Sequence, residues 1–379
     1  MDSKLLFAYL RTGGGHLAPA RALAAHIEGT YKGQVHAVLV DGLEHGSAFA
    51  RWVLEDGYRI LQAKARWFYE FLYLTNKIPP VAWWNAQLVA PLVTPWLRES
   101  VLRERPDRIV VVHFLLIEPI VKILREQGLD VPVTVLVTDP YTAHPLWFRN
   151  KHLEFVVFSE ELRRQCVELG IRPDRLTVFP FVLAEKFSAP LPQEEIDRAK
   201  RRFGFTPGRK MVLVLGGADG IPRGERILRR LAENVTAADL AIVCGTNENL
   251  LRSAEQVAVS TGRKDLRVYG YVDFAYELIN CADLVISKCG ASTFMEILLS
   301  GKIPIITDYL WEQEKGNKDF LERSRTGFFE PRLRHLPRLV NRLLMDDRLQ
   351  SDYRANIRNL QIRNGTPLVA RWLVGSADR

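Results

Sequence analysis

Two glycine-rich turns and one hydroxyl-rich turn hold the residues in this chain that are suited to chemistry. The first is Thr12-Gly13-Gly14-Gly15-His16, between an apolar run and a helical pattern with Pro19 near its start. Glycines let the backbone come close to a ligand, and a helix start offers unpaired N–H groups and a positive dipole end. The second is Gly216-Gly217-Ala218-Asp219-Gly220, after another apolar run. The densest is Ser287-Lys288-Cys289-Gly290-Ala291-Ser292-Thr293-Phe294-Met295-Glu296, followed one strand-like run later by Glu312-Gln313-Glu314-Lys315-Gly316-Asn317. A small, hydroxyl-rich turn entering a helix suits a diphosphate, and Glu296 could accept hydrogen bonds from two ribose hydroxyls. Thr293-x-x-Glu296 is equally a capping box that needs no ligand. The polar run Glu312–Asn317, at the same sheet edge, suits a sugar and favours the sugar-nucleotide reading.

Other phosphate chemistries fit less well. Gly13-x-Gly15-x-x-Ala18 meets the loose dinucleotide fingerprint, and Asp41 ends the second strand where a ribose-binding acid would sit. That fingerprint explains neither His16 nor a second glycine-rich half. No GxxxxGK[ST] occurs, which excludes a P-loop NTPase.

The elements that position these turns follow from alternating apolar runs and amphipathic stretches, the pattern of parallel α/β sheets. Strands are predicted at Leu5–Leu10, Val35–Val40, Ile109–Val112, Val133–Thr138, Phe155–Phe158 and Leu176–Phe179, then at Met211–Leu215, Leu240–Val243, Leu266–Tyr269, Leu284–Ser287 and Ile303–Thr307. Helices are predicted between them, among them Ala18–Glu28, Glu160–Leu169, Gly224–Asn234 and Thr293–Leu299. Leu183–Lys210, with Pro190, Pro192 and Pro207, reads as the linker. The expected class is therefore α/β with two doubly wound, Rossmann-like domains facing across a cleft, since ligands bind at the carboxyl ends of such sheets. Residues 1–185 form the first domain, with an insertion at about 47–105. Residues 186–365 form the second, and 366–379 are expected to return to the first.

The 379 residues carry a formal net charge of +8 and a hydrophobic fraction of 47%, so wholesale disorder is excluded. The charge invites a nucleic-acid reading. However, Arg323–Arg379 holds twelve Arg, no Lys and five acidic residues at helical intervals, without a zinc-finger or RNP signature. Solvated helix faces, or attraction to an anionic lipid surface, account for it, and no nucleic acid is expected. Cys166, Cys244, Cys281 and Cys289 form no CxxC pair, which favours a reducing compartment. The start lacks a signal-peptide layout, so a cytoplasmic protein is expected.

Taken together, the motif blocks resemble the GT-B glycosyltransferases of the monogalactosyldiacylglycerol synthase and processive diacylglycerol glucosyltransferase group. More distantly they resemble the N-acetylglucosaminyltransferase that makes peptidoglycan lipid II. The resemblance rests on Thr12–His16, on Val137-Thr138-Asp139-Pro140 with His144-Pro145-Leu146-Trp147-Phe148, on Gly216–Gly220, on Lys288–Glu296 and on Gln313–Asn317, in the family's order and spacing. Arg11 stands where the family often has Asp, Ala218-Asp219 replaces a Gly-Glu-like pair, and Cys289 and Ala291-Ser292 replace the commoner Ala/Pro-Gly.

The resemblance implies a UDP-sugar in the second domain, with Ser292 and Thr293 at the diphosphate, Glu296 on the ribose, and Gln313 and Glu314 on sugar hydroxyls. Gly14, Gly15, Gly216, Gly217, Gly245, Lys288 and Asn317 complete the expected donor set. His16 is the candidate general base, with Asp139 as its rival or its orienting partner. His113, His144 and Trp147 would line the acceptor side. The implied reaction is inverting transfer of galactose from UDP-galactose to diacylglycerol. UDP-glucose-dependent, processive glucosyl transfer is the nearest alternative, and a nucleotide-cofactor oxidoreductase is a distant one. Direct displacement needs a base on the incoming hydroxyl and stabilisation of departing UDP. No Asp-x-Asp occurs, so no metal and no cofactor are expected.

The insertion holds Trp52, Trp67, Trp83, Trp84 and Trp96, with Arg59, Lys64, Arg66 and Lys77 nearby. Aromatics beside basic residues describe an interfacial membrane segment, and the alternative is a helical cap on the first core. Ile78–Leu97 lacks charge for 20 residues, but Pro79, Pro80, Pro91 and Pro95 are expected to break it before it could span a bilayer. Trp67, Trp83 and Trp84 are the expected lipid contacts, on an anionic membrane surface at the inner face of the cell membrane.

Overall fold

The computed structural model describes residues 3–11, 14–57, 61 and 65–375. Thr12, Gly13, Arg59, Lys64 and the side chain of Trp83 lie outside the described set. By contact the chain divides into two compact units. One comprises Met1–Glu185, Trp311–Gln313 and Asn364–Arg379, and the other Lys186–Leu310 and Glu314–Arg363.

The first unit is built on six parallel strands: β1 (Ser3–Tyr9), β2 (Val35–Asp41), β3 (Arg108–Val111), β4 (Val133–Leu136), β5 (Glu154–Val157) and β6 (Leu176–Val178). Their order is β2-β1-β3-β4-β5-β6. All four residues of β3 and of β4 are buried, as a sheet covered on both faces requires. The second unit repeats the plan with β7 (Met211–Leu215), β8 (Asp239–Val243), β9 (Leu266–Tyr269), β10 (Leu284–Lys288), β11 (Ile303–Asp308) and β12 (Phe328–Phe329), in the order β12-β11-β10-β7-β8-β9. Every predicted strand is present within two residues of its predicted ends. The edge strand β12 was not predicted, because two residues are too few to carry a period.

One expectation about the insertion is overturned. Pro79–Glu104 is a single 26-residue helix that runs through Pro91 and Pro95. Pro79 and Pro80 occupy its first turn, where missing N–H groups cost nothing. Each interior proline removes one hydrogen bond. Burial of Val93, Leu97 and Val101 in the first unit's core holds the helix in place. Trp96 is buried there too, and its indole N–H donates to the Asp41 carbonyl at 2.9 Å. The helix Arg66–Thr75, in contrast, buries no residue. Among the described residues, no helix is long and apolar enough to cross a membrane.

The helix Thr366–Gly375 packs on the helix Gly14–Thr30 of the first unit. It is led in by Gly365, whose N–H donates to the Phe181 carbonyl at 2.8 Å. A Cβ on Gly365 would lie 1.8 Å from the Pro180 carbonyl oxygen, so only glycine fits this approach.

Candidate active site

In the first unit, β1 leads to β2 on one side, while β3 lies on its other side and leads on to β4. This reversal is the topological switch point, where doubly wound sheets bind ligands. His16 enters there on the helix after β1, and His113 follows β3. Their rings meet edge to face at 4.5 Å, and both are buried. His16 Nδ1 shares a 2.8 Å hydrogen bond with Thr138 Oγ1, just beyond β4. Burial lowers the His16 imidazole to about 4, with the Val112 carbonyl pulling it partway back. The ordinary imidazole value therefore does not hold for His16, which is neutral throughout the physiological range.

The hydrogen bond to Thr138 fixes what His16 can do. If Nδ1–H donates to Oγ1, Nε2 keeps its lone pair and can take a proton. If the hydroxyl donates to Nδ1, Nε2 carries the hydrogen and cannot. Thr138 thus holds the His16 ring, while Asp139, one residue on, accepts from the Trp147 indole N–H at its Oδ2 at 3.0 Å. In the sequence Thr138 stands out as the end of a predicted strand and as part of the Val137–Pro140 block, neither of which marks it as a partner of His16.

His113 Nδ1 accepts from the Leu115 N–H, and burial holds its imidazole well below the ordinary value. His144 Nδ1 accepts from the Leu146 N–H, while Nε2 donates to the Tyr73 carbonyl at 2.9 Å. Burial lowers His144 to about 4, against the upward pull of that carbonyl. Trp147 is fully buried and Phe114 packs edge-on against it at 5.7 Å. His16, His113, His144 and Trp147 therefore form one connected aromatic cluster. Asp41, the ribose acid of the dinucleotide reading, is consumed otherwise. It pairs with Arg11 at 2.7 Å and accepts from the Leu43 N–H.

In the second unit the switch point lies between β7 and β10. The loop after β7 packs against that after β8. A Cβ on Gly216 would come 2.2 Å from the Gly220 oxygen, and one on Gly245 2.0 Å from the Ala218 oxygen. The loop after β10 begins at a register shift between Ser287 and Lys288 and enters the helix Ala291–Leu299. The nearest neighbour of a Cβ on Gly217 would be Thr293 Oγ1, at 3.7 Å, so the glycine loop and the hydroxyl-rich turn adjoin. Gly290 caps the helix without a side-chain hydrogen bond, and the buried Ser292 Oγ has no hydrogen-bond partner. Uncapped N–H groups beside an unsatisfied hydroxyl are the chemistry that suits an anion.

The capping-box alternative fails, because the helix starts at Ala291 and puts Thr293 and Glu296 inside it. Glu296 is half-buried, and removal from water raises its carboxyl to about 7, with Lys186 pulling it down. Glu296→Gln is expected to weaken UDP binding by about 1–3 kcal/mol without lowering the melting temperature. Calorimetry and a thermal melt on the variant test this. Unchanged affinity with reduced stability would return Glu296 to a structural role.

Glu314 is buried, accepts from the Leu310 N–H at 2.9 Å and lies 3.7 Å from Lys288 Nζ. Asn317 Nδ2 donates to the Cys289 carbonyl at 2.8 Å. Both side chains fasten the hydroxyl-rich turn to the helix Trp311–Ser324. Gln313, at the start of that helix, accepts from the Tyr69 hydroxyl. A Cβ on Gly15 would meet nothing within 4 Å, leaving room beside the His16 turn, whereas Gly14 only opens its helix. Trp67 and Trp84 are 74% and 64% exposed. No group of three or more His, Cys, Asp or Glu with metal-holding geometry occurs among the described residues.

Residues 16–181 match the family model described as monogalactosyldiacylglycerol (MGDG) synthase, and residues 211–316 match the glycosyltransferase family 28 C-terminal domain. A probable monogalactosyldiacylglycerol synthase of Nicotiana tabacum is 24% identical over 89% of this chain, which spans 64% of that protein's length. A processive diacylglycerol beta-glucosyltransferase of Bacillus pumilus is 23% identical over 100% of this chain and 96% of its own. Among solved structures, Medicago truncatula UGT71G1 complexed with UDP-glucose superposes with a TM-score of 0.64 at 12% identity, covering 99% of this chain and 98% of that one. Acinetobacter baumannii MurG gives 0.61 at 14% identity over 99% and 100%. The chain has the GT-B glycosyltransferase fold, and both its halves are similar to the monogalactosyldiacylglycerol synthase and diacylglycerol glucosyltransferase group.

Proposed function

We propose that this chain is an inverting UDP-hexose transferase that glycosylates diacylglycerol at a membrane surface, with galactose as the donor sugar. The observation that carries the reading is the uncapped helix Ala291–Leu299, with its unsatisfied Ser292 hydroxyl, at a switch point flanked by a second glycine loop. That arrangement suits a diphosphate. Glu296, one turn further on, suits the ribose hydroxyls. Ser292 and Thr293 then stabilise departing UDP together with helix N–H groups, so the mechanism needs no metal. His16, held neutral by burial, takes the proton of the incoming hydroxyl on Nε2 while Nδ1–H is spent on Thr138. Glucose is the second reading, favoured by the full-length similarity to the Bacillus pumilus glucosyltransferase.

The test is incubation with labelled UDP-galactose or UDP-glucose and diacylglycerol in mixed micelles, followed by lipid chromatography. A galactolipid formed undiminished in EDTA is expected. A glucolipid would select the second reading, and UDP binding without either product would end both.

Membrane contact is part of the proposal. Phe49, Trp52, Trp67, Phe71, Ile78, Trp84 and Leu88 are exposed on the insertion, and Arg66 and Lys77 stand among them. Each basic residue near an anionic surface contributes about 1 kcal/mol, so attachment should be reversible and weaken in high salt. The Trp67→Ser, Trp84→Ser double variant is expected to sediment less with anionic vesicles, with its circular dichroism unchanged. Sedimentation equal to wild type would mean that docking lies elsewhere, first of all in the Arg-rich segment 323–379.

A further inference from the structure

The helices Gly224–Asn234 and Leu336–Met345 of the second unit pack against each other. Two hydrogen-bonded ties fix how they lie. Arg223, which leads into the first helix, donates from Nη1 to the Pro331 carbonyl at 3.1 Å and from Nη2 to the Thr307 carbonyl at 2.7 Å. Asn341 Nδ2 donates to the carbonyl of Asn234, the last residue of that helix, at 2.9 Å. Start lies beside start and end beside end, so the helices run side by side in one direction. Ile227, Leu228 and Leu231 of the first are buried, as are Val340, Leu343 and Leu344 of the second. Arg226 and Arg230, one turn apart, are exposed, and so are Arg338 and Arg342. Counted from either tie, Arg230 falls about level with Arg338. The arginines of both helices therefore border one stretch of surface.

Residues 223–234 and 330–342 hold eight Arg, no Lys and three Glu, which is more than half of the chain's formal surplus of +8. Glu225 pairs with Arg229 at 2.9 Å, and Glu330 lies 3.7 Å from His335. Among the described residues, no carboxylate pairs with Arg226, Arg230, Arg338 or Arg342. Like charges one turn apart weaken a helix, so the folding of the unit does not account for this face. We infer that it is a docking surface for the phosphodiester headgroups of an anionic lipid bilayer. Guanidinium groups grip phosphate oxygens two at a time, which suits Arg better than Lys. Met345, one turn beyond Arg342, is 82% exposed and sets an apolar tip at the end of the row. Single-stranded nucleic acid fits less well, because residues 223–234 and 330–345 contain no Phe, Trp or Tyr on which bases could stack. Two helices side by side are about 20 Å across, too broad for a major groove about 12 Å wide. This surface is additional to the insertion of the first unit and does not depend on which sugar or acceptor the chain uses.

The experiment replaces Arg226, Arg230, Arg338 and Arg342 together by Gln in the full chain. Sedimentation is compared on vesicles of equal parts phosphatidylglycerol and phosphatidylcholine and on pure phosphatidylcholine, with circular dichroism to confirm folding. At low salt, partition onto the mixed vesicles should fall at least about tenfold, since each basic residue near an anionic surface contributes about fivefold. Partition onto pure phosphatidylcholine should not change, and high salt should erase the difference between variant and wild type. The same four positions changed to Lys should keep most of the binding, because a surface responds to charge. A folded Gln variant that sediments like wild type on the mixed vesicles would overturn the inference, as would an equal loss on both vesicle types. Tighter binding of a labelled RNA duplex than of the mixed vesicles, lost in the Gln variant, would assign the face to another polyanion and overturn it too. Failure of the proposed reaction reads differently. A chain that transfers no sugar to diacylglycerol, yet leaves the vesicles when these arginines are removed, ends the reaction and keeps the docking surface. A chain that makes glycolipid in mixed micelles, with vesicle binding unmoved by the four changes, does the reverse.

Discussion

His16→Ala is expected to cut turnover by about 10²–10⁴-fold, the usual contribution of a general base, and to leave UDP affinity unchanged. The affinity should persist because Ser292, Thr293 and Glu296 belong to the other compact unit. Thr138→Val should also reduce turnover, by a smaller factor. It removes the oxygen that His16 Nδ1 bonds at 2.8 Å and so frees the ring to adopt the unproductive tautomer. With the imidazole at about 4 in the free protein, activity should show no histidine limb between about pH 6 and 8. Single-turnover assays with saturating donor measure all three. Activity of His16→Ala within a few-fold of wild type would make the residue structural and bring Asp139 forward as the base.

The second large effect is on stability in acid. His16 and His144 titrate near 4 in the folded chain, against about 6.5 when unfolded, and His113 is lowered too. Burial is the chief cause in each case. The unfolded chain therefore binds more protons between these values, and stability that is complete above pH 6.5 is lost as pH falls towards 4. A shift of this size corresponds to about 3 kcal/mol per histidine. Glu296 opposes the trend. Its carboxyl is raised to about 7, so the stability it contributes is present below about 4.5 and is lost as pH rises through 7. Histidines outnumber it, and the net expectation is a fall in melting temperature as pH drops from about 6.5 to 4. Glu296→Gln should steepen that fall by removing the opposing group. Thermal melts across this range decide the matter, and a flat profile would show that the three imidazoles are open to water.

Strand positions were legible because buried parallel strands are apolar runs, and Met211–Leu215 and Leu266–Tyr269 match to the residue. Helix starts were less so. The Thr293-x-x-Glu296 pattern mimics a cap, while the true N-cap is Gly290, which carries no side-chain signal. Pro91 and Pro95 mark breaks by local rules, yet tertiary burial of Val93 and Leu97 overrides them. At the site, the turn that carries His16 could be found from its glycines. Its partner Thr138 could not, because a threonine that ends a strand looks the same whether or not an imidazole reaches it. The depression of the imidazole pKa is likewise a property of packing, which no spacing of residues reports.

The return of Thr366–Gly375 to the first unit bears on how the chain folds as it is made. Domains generally form as units from the amino end, at about 5–20 residues per second of synthesis. Here the unit that begins first lacks one of its helices until Asn364–Gly375 have emerged. That leaves roughly 10–40 s in which the Gly14–Thr30 helix lacks its cover and the Pro180–Phe181 backbone lacks Gly365. During that interval an apolar face is open to chaperones, to lipid and to other nascent chains. The second unit, whose segments lie between Lys186 and Arg363, is therefore complete first.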